Sequence, residues 1–142
     1  MPDTTCAFCA IATGALPAAM VLDEPDVVAF LDVKPVFPGH VLVIPRAHHA
    51  TLPDLPVDQL PVLFGAARRI AAAVVPALGA DGSFVAMNNT VSQSVPHLHV
   101  HVVPRRRKDG LRGFFWPRQK YDDDAAMQAT AATLRDALAA SA

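Results

Sequence analysis

Three histidines stand at every second position of His97-Leu98-His99-Val100-His101, and Val102, Val103 and Pro104 follow. Imidazole titrates near neutrality, so a row of three can supply a nucleophile, hydrogen donors and metal ligands at physiological pH. Leucine and valine fill the alternate places, the period-2 pattern of a β-strand with one imidazole face and one aliphatic face. Side chains two apart on a strand lie about 7 Å from each other, so His99 and its two neighbours could meet one small charged group. Half of the chain's six histidines fall within these five residues, which argues against three unrelated surface side chains.

The two cysteines form a single CxxC, Cys6-Ala7-Phe8-Cys9. A redox motif is expected after a strand within a βαβ unit, and only five residues precede Cys6. Two other readings stay open at this point: a pair of idle thiols, or half of a tetrahedral zinc site. Thiolate softness favours zinc, and with no second CxxC the remaining ligands would be histidines.

The run Ser92-Gln93-Ser94-Val95-Pro96 and the histidines after it resemble the signature of the histidine triad (HIT) family. Pro35 to His49, PVFPGHVLVIPRAHH, resembles that family's second landmark, and the similarity extends from about Cys6 to about Arg105. The resemblance implies that His99, the middle histidine, attacks the α-phosphorus of a purine nucleotide to form a nucleotidyl-histidine that water then cleaves. It implies that His101 donates to phosphate oxygens, that Ser94 helps the leaving group and that His40 is a fourth, supporting histidine. Asp32 would accept from the ribose hydroxyls, while Asn88, Asn89, Gln93 and Ser94 would hold the phosphates. No catalytic metal is required. Some branches of the family carry a structural zinc, whose ligand positions here are Cys6, Cys9, His48 and His97, with the adjacent His49 an alternative to His48. Two departures from the family pattern fall in one loop: Thr90-Val91 is shorter than the usual Gly-containing loop, and Ser92 stands where Gly normally precedes Gln93. They bear on the phosphate contacts and leave the histidines untouched.

At 142 residues with 52% hydrophobic content, the chain is expected to form a single domain over residues 1–142 with a real core. Its formal net charge of −1 gives no global field toward nucleic acid or a membrane surface. The N-terminus has no basic n-region, and no window approaches eighteen uninterrupted apolar residues, so the expected location is cytoplasmic. Strands are expected at Met20 to Leu22, Val27 to Leu31, His40 to Ile44 and Ser83 to Met87, beside the histidine row. A helix from about Val57 to Val75 carries the apolar stripe Leu60, Leu63, Phe64, Ala67, Ile70, Ala71 and Val74, with Asp58 as N-cap and Pro76 and Gly79 at its end. Residues 105–142 form a basic and aromatic tail, including Phe114, Phe115 and Trp116, and a final helix from about Asp123 to Ala140. Basic and aromatic interleaving suits single-stranded nucleic acid, but packing on the domain or a dimer partner is the stronger reading.

The expected fold is therefore α+β, an antiparallel sheet of about five strands with a long helix packed on it and a C-terminal helix, HIT-like and homodimeric. The expected function is a nucleotide phosphohydrolase or nucleotidyl transferase acting on a dinucleoside polyphosphate or nucleoside phosphoramidate. A nucleotide-binding module without turnover and a metal-dependent hydrolase are the alternatives, though three ligands from alternate positions of one strand can hardly surround a tetrahedral ion.

Overall fold

The computed structural model describes residues 5–112 and 118–141; the aromatic run expected at 114–116 lies outside them. The chain comprises two compact units, one running to Asp109 and one from Gly110. In the first, five strands form one antiparallel sheet: β1 (Met20–Asp23), β2 (Val27–Leu31), β3 (Val41–Pro45), β4 (Gly82–Ala86) and β5 (Val100–Arg105). Their spatial order is β1-β2-β3-β5-β4, so β3 and β5 are interior neighbours.

Burial on both faces explains the apolar runs of the central strands. Val27, Ala29, Val41, Val43, Val100 and Val102 point to one face and pack against helix α2 (Leu60–Leu78) through Leu63, Ala66, Ala67, Ile70 and Val74. Their neighbours Val28, Phe30, Leu42 and Ile44 point to the other face, where the short helix α1 (Ala7–Thr13) covers them with Phe8, Cys9 and Ala12. Val57–Leu78 is long and apolar enough by composition to cross a membrane, yet its buried stripe lies on the sheet.

Helix α2 departs from the sequence expectation at both ends. Asp58 lies in a 3₁₀ turn (Val57–Gln59), and Gln59 occupies the N-cap without a side-chain hydrogen bond. Pro76 does not end the helix, which runs on to Leu78 before Gly79 closes it at φ 66°. A proline in the last turn removes one hydrogen bond and leaves the remainder intact. Phe64, expected in the buried stripe, is 40% exposed. The second unit contains α3 (Asp124–Ala140), where the Asp123 carboxylate caps the helix by accepting from the Ala126 N–H at 2.7 Å. No residue of α3 is buried.

Candidate active site and metal centre

The histidine row is less regular than its spacing suggests. The hydrogen-bonded strand begins at Val100, so His97 and His99 precede it and only His101 lies within β5. Pairing with β3 stops at Val43↔Val100, and beyond it the Leu98 N–H donates to the carbonyl of His49, in the turn after β3, at 2.7 Å. The alternation nevertheless persists: Leu98, Val100 and Val102 are fully buried toward α2. The imidazole face is covered as well, with His97 at 0% and His99 at 5% exposure. Phe8 of α1 does this, presenting its ring edge-to-face to His97 (6.1 Å between centroids) and to His99 (5.1 Å).

Hydrogen bonds to the main chain fix the tautomers of the first two rings, because a carbonyl can only accept. His97 donates from Nε2 to the Pro45 carbonyl at 2.8 Å. Its lone pair is therefore on Nδ1, 3.5 Å from Cys6 Sγ and 3.5 Å from Cys9 Sγ. His48 Nδ1 is 3.3 Å from Cys9 Sγ, and one ligand atom from each of the four residues lies within 4.8 Å of all the others. A tetrahedral zinc with ordinary Zn–S and Zn–N bonds holds sulfur and nitrogen about 3.5 Å apart, so two soft thiols and two imidazoles here have the spacing that ion requires. His48, not His49, belongs to the cluster. Burial above all, opposed by the Pro45 carbonyl and aided by nearby histidines, pushes the His97 pKa down to about 4. The ring is therefore neutral at pH 7, the form that coordinates a metal.

Nothing in the sequence announced α1, seven residues long, whose N-cap is Cys6 with its sulfur accepting from the Cys9 N–H at 3.4 Å. Arg46, in the turn after β3, anchors it. Its guanidinium donates to the carbonyls of Glu24 (2.8 Å) and Pro25 (3.1 Å) and also reaches the Ala12 carbonyl and the Asp23 carboxylate. One side chain thereby ties the end of the cysteine helix to the β1–β2 turn. Five donors in a rigid fork suit arginine to such bridging, but the sequence shows only an exposed-looking cation.

His99 donates from Nδ1 to the carbonyl of His97 at 2.7 Å, which leaves the lone pair on Nε2. The ring lines a pocket of about 260 Å³ together with His101, Asp32 and Ser94. The remaining wall is apolar, chiefly Phe8, Ile11, Phe30, Leu42 and Val95. His40 enters just before β3, where the Asp32 N–H donates to its carbonyl at 2.9 Å and so fixes both residues at the end of the β2–β3 pair. Gly39 makes that entry possible: at φ +95° it sits in the left-handed region, and a β-carbon there would collide with Leu78. Because His101 is in register with Leu42, its ring meets His40 diagonally across the two strands, with His40 Nε2 and His101 Nδ1 2.9 Å apart. The Val36 N–H donates to His40 Nδ1 at 3.1 Å, and Asp32 Oδ2 lies 3.8 Å from that nitrogen. Desolvation, reinforced by His99 and His40 and opposed by Asp32, pushes the His101 pKa down to about 4. His40 is lowered by the same first cause, with Asp32 opposing.

Asp32, His40 and His101 could also be taken for a metal cluster, since their ligand atoms gather within 4.8 Å. The 2.9 Å nitrogen–nitrogen separation argues for a direct hydrogen bond instead, because two imidazoles on one tetrahedral zinc stand about 3.3 Å apart.

The loop before the row divides the remaining candidates. Ser94 is exposed at the pocket. Asn89 instead accepts the Leu52 N–H through Oδ1 at 2.7 Å, while Gln93 accepts the Thr90 N–H at 2.8 Å and donates to the Ala50 carbonyl at 2.6 Å. Asn88 is exposed. Thr90 (φ 71°) and Ser92 (φ 60°) both adopt left-handed backbone, a conformation glycine takes without strain.

A family model described as the HIT domain matches residues 13–108 of the chain. A HIT-like protein of Mycobacterium tuberculosis is 36% identical over 136 residues, covering 94% of this chain and 93% of its own. An adenosine 5'-monophosphoramidase of Saccharomyces cerevisiae is 36% identical over 125 residues, covering 86% of this chain and 76% of its own. Among solved structures, a zinc-bound histidine triad family protein of Mycobacterium smegmatis matches with a TM-score of 0.73 at 35% identity, over 94% of this chain and 97% of that one.

Proposed function

We propose that this chain, which belongs to the histidine triad (HIT) family, cleaves a purine nucleotide at its α-phosphate by covalent transfer through His99. The observation that carries the reading is the Nδ1–H bond from His99 to the His97 carbonyl, which leaves an unprotonated Nε2 on a ring lining the pocket. A phosphorus centre with negative oxygens needs such a lone pair in line and fixed donors around the developing charge. His99 Nε2 bonds to phosphorus while the bond to the leaving oxygen or nitrogen breaks. Water then attacks the same phosphorus, the P–N bond to His99 breaks, and the nucleoside monophosphate departs.

Ser94 assists the leaving group, Asp32 accepts from the ribose hydroxyls, and the apolar wall around Phe30 and Val95 suits a flat purine. Gln93 and Asn89 act by holding the loop through their main-chain bonds, and Asn88 remains a candidate phosphate contact. The natural leaving group is either a polyphosphate tail or an amine, as in a dinucleoside polyphosphate or a nucleoside phosphoramidate. Cys6, Cys9, His48 and His97 would hold a structural zinc, which would tie α1 to the histidine row and orient His97 without entering the reaction. A cytoplasmic homodimer completes the proposal; the apolar side chains Met127, Leu134 and Leu138 exposed on α3 support self-association, which sedimentation equilibrium measures.

The test is intact-protein mass spectrometry after rapid, acid-free quenching with a diadenosine polyphosphate or adenosine phosphoramidate. An acid-labile adenylate on the wild type and none on His99→Ala is expected. AMP formed at equal rates by both, with no adduct, would remove His99 as nucleophile. Nucleotide binding with neither adduct nor product would leave a binding module.

A further inference from the structure

We infer that the main-chain N–H of Val36 decides, through His40, which ring nitrogen of His101 carries its hydrogen, so that His101 meets the substrate as a neutral Nε2–H donor. The chain of bonds has one direction. An amide N–H can only donate, so His40 Nδ1, 3.1 Å from the Val36 nitrogen, must hold a lone pair. In a neutral imidazole the hydrogen is then on Nε2. That Nε2–H donates to His101 Nδ1 at 2.9 Å, which leaves His101 with its hydrogen on Nε2. His101 lines the same pocket as His99 and Ser94, so this hydrogen serves an oxygen of the phosphate undergoing transfer. The use of the donor rests on the nucleotidyl-transfer reading; the tautomer does not.

Without the Val36 amide the opposite arrangement would be favoured. Asp32 Oδ2, 3.8 Å from His40 Nδ1, is a carboxylate acceptor that would draw the hydrogen to Nδ1. His40 Nε2 would become an acceptor, His101 would turn to Nδ1–H, and a second lone pair would face the phosphate beside His99. Main-chain groups of the β2–β3 connection prevent this from both sides. The Lys34 N–H holds Asp32 through Oδ1 at 2.9 Å, the Val36 N–H holds His40, and Pro35 between them has no N–H to compete. Val36 is thus a positioning residue whose side chain, 51% exposed, has no part in the arrangement.

The test reads the tautomers directly, by two-bond 15N–1H correlation spectra of the histidine rings in the protein as purified, near pH 7.5. The expected wild-type spectrum shows His101 protonated at Nε2 and bare at Nδ1; the reverse overturns the inference outright. Val36→Pro, which removes the amide, is expected to move the hydrogen to Nδ1 of His101 and to lower kcat about 100-fold, the usual effect of losing one donor to developing charge, with KM changed less. Val36→Ala, which keeps the amide, is expected to keep the tautomer. If Val36→Pro does not fold, His40 decides the matter. His40→Gln can accept from Val36 through Oε1 and donate to His101 through Nε2, so it should retain Nε2–H on His101, whereas His40→Glu, whose carboxylate can only accept, should draw the hydrogen to Nδ1. An unchanged His101 spectrum in folded Val36→Pro or in folded His40→Glu would refute the relay. An intact tautomer pattern in a protein that forms no adduct would refute the transfer reading alone.

Discussion

The two ends of the histidine row are the same residue type on the same sheet face, yet they meet opposite surroundings. His97 is wholly enclosed, with its bare Nδ1 turned toward two sulfurs and a second imidazole. His101 is only partly covered and opens on a pocket, with its Nδ1 toward His40. Burial holds both rings neutral, each with its pKa pushed down to about 4. Protonation state therefore does not tell the ends apart. What differs is the main-chain group opposite each ring system, a proline carbonyl for His97 and a valine amide acting through His40 for His101.

The largest expected effect lies between the ends. His99→Ala should lower kcat by at least about 10³-fold, the scale on which removing a covalent nucleophile acts, while leaving zinc content unchanged. A loss of metal in this variant would mean that the two ends are one unit. Cys9→Ser attacks the other end: metal analysis should fall from about one zinc per chain to none. If free zinc stands about 1,000-fold above its Kd, that loss costs about 4 kcal/mol of stability. Adduct formation on His99 should survive in whatever fraction stays folded. A Cys9→Ser protein that keeps both its zinc and its melting temperature would remove the metal proposal.

The pH dependence of stability is smaller and common to both ends, so its His101 share is read by substitution. For His101 the folded pKa, about 4, lies below the ordinary 6.5, so between those values the unfolded chain binds more protons than the folded one. Stability is then greatest above pH 6.5 and is lost as pH falls toward 4, by at most about 1.4 kcal/mol per pH unit and less for a partly exposed ring. Zinc release in acid acts in the same direction, so the measurement belongs in the Cys9→Ser background. There, urea unfolding at pH 7, 6 and 5 should show a shallower fall for His101→Gln than for its parent; equal slopes would assign the acid sensitivity to other groups.

The sequence carried the sorting of the row, because Leu98, Val100 and Val102 could occupy one face only if the histidines took the other. It carried the apolar runs that form β1, β2, β3 and β4 and, Phe64 apart, the stripe of α2. It could not show where β5 begins, since that depends on how far β3 extends to pair with it. Helix α1 was illegible for another reason: seven residues are too few for a periodic signal, and its cap is a cysteine. Least readable were the groups that set the tautomers. The Pro45 carbonyl and the Val36 N–H are main-chain atoms that almost any residue would supply, so only their position gives them meaning.

Ser92 offers the smallest effect and a check from the approach to the row. Its φ of 60° costs an L-residue on the order of 1 kcal/mol that glycine avoids. Glycine adds freedom to the unfolded chain worth about 0.4–1 kcal/mol, which offsets most of the gain. Ser92→Gly should therefore change stability by well under 1 kcal/mol, with zinc content constant, because the loop's hydrogen bonds run through Asn89 and Gln93. Ser94 follows this turn and faces the pocket beside His99 and His101. A looser turn would thus appear in catalysis before stability, as a change of a few-fold in the ratio of kcat/KM between polyphosphate and phosphoramidate substrates. If Ser92→Gly moves zinc content instead, the loop belongs to the metal end of the row.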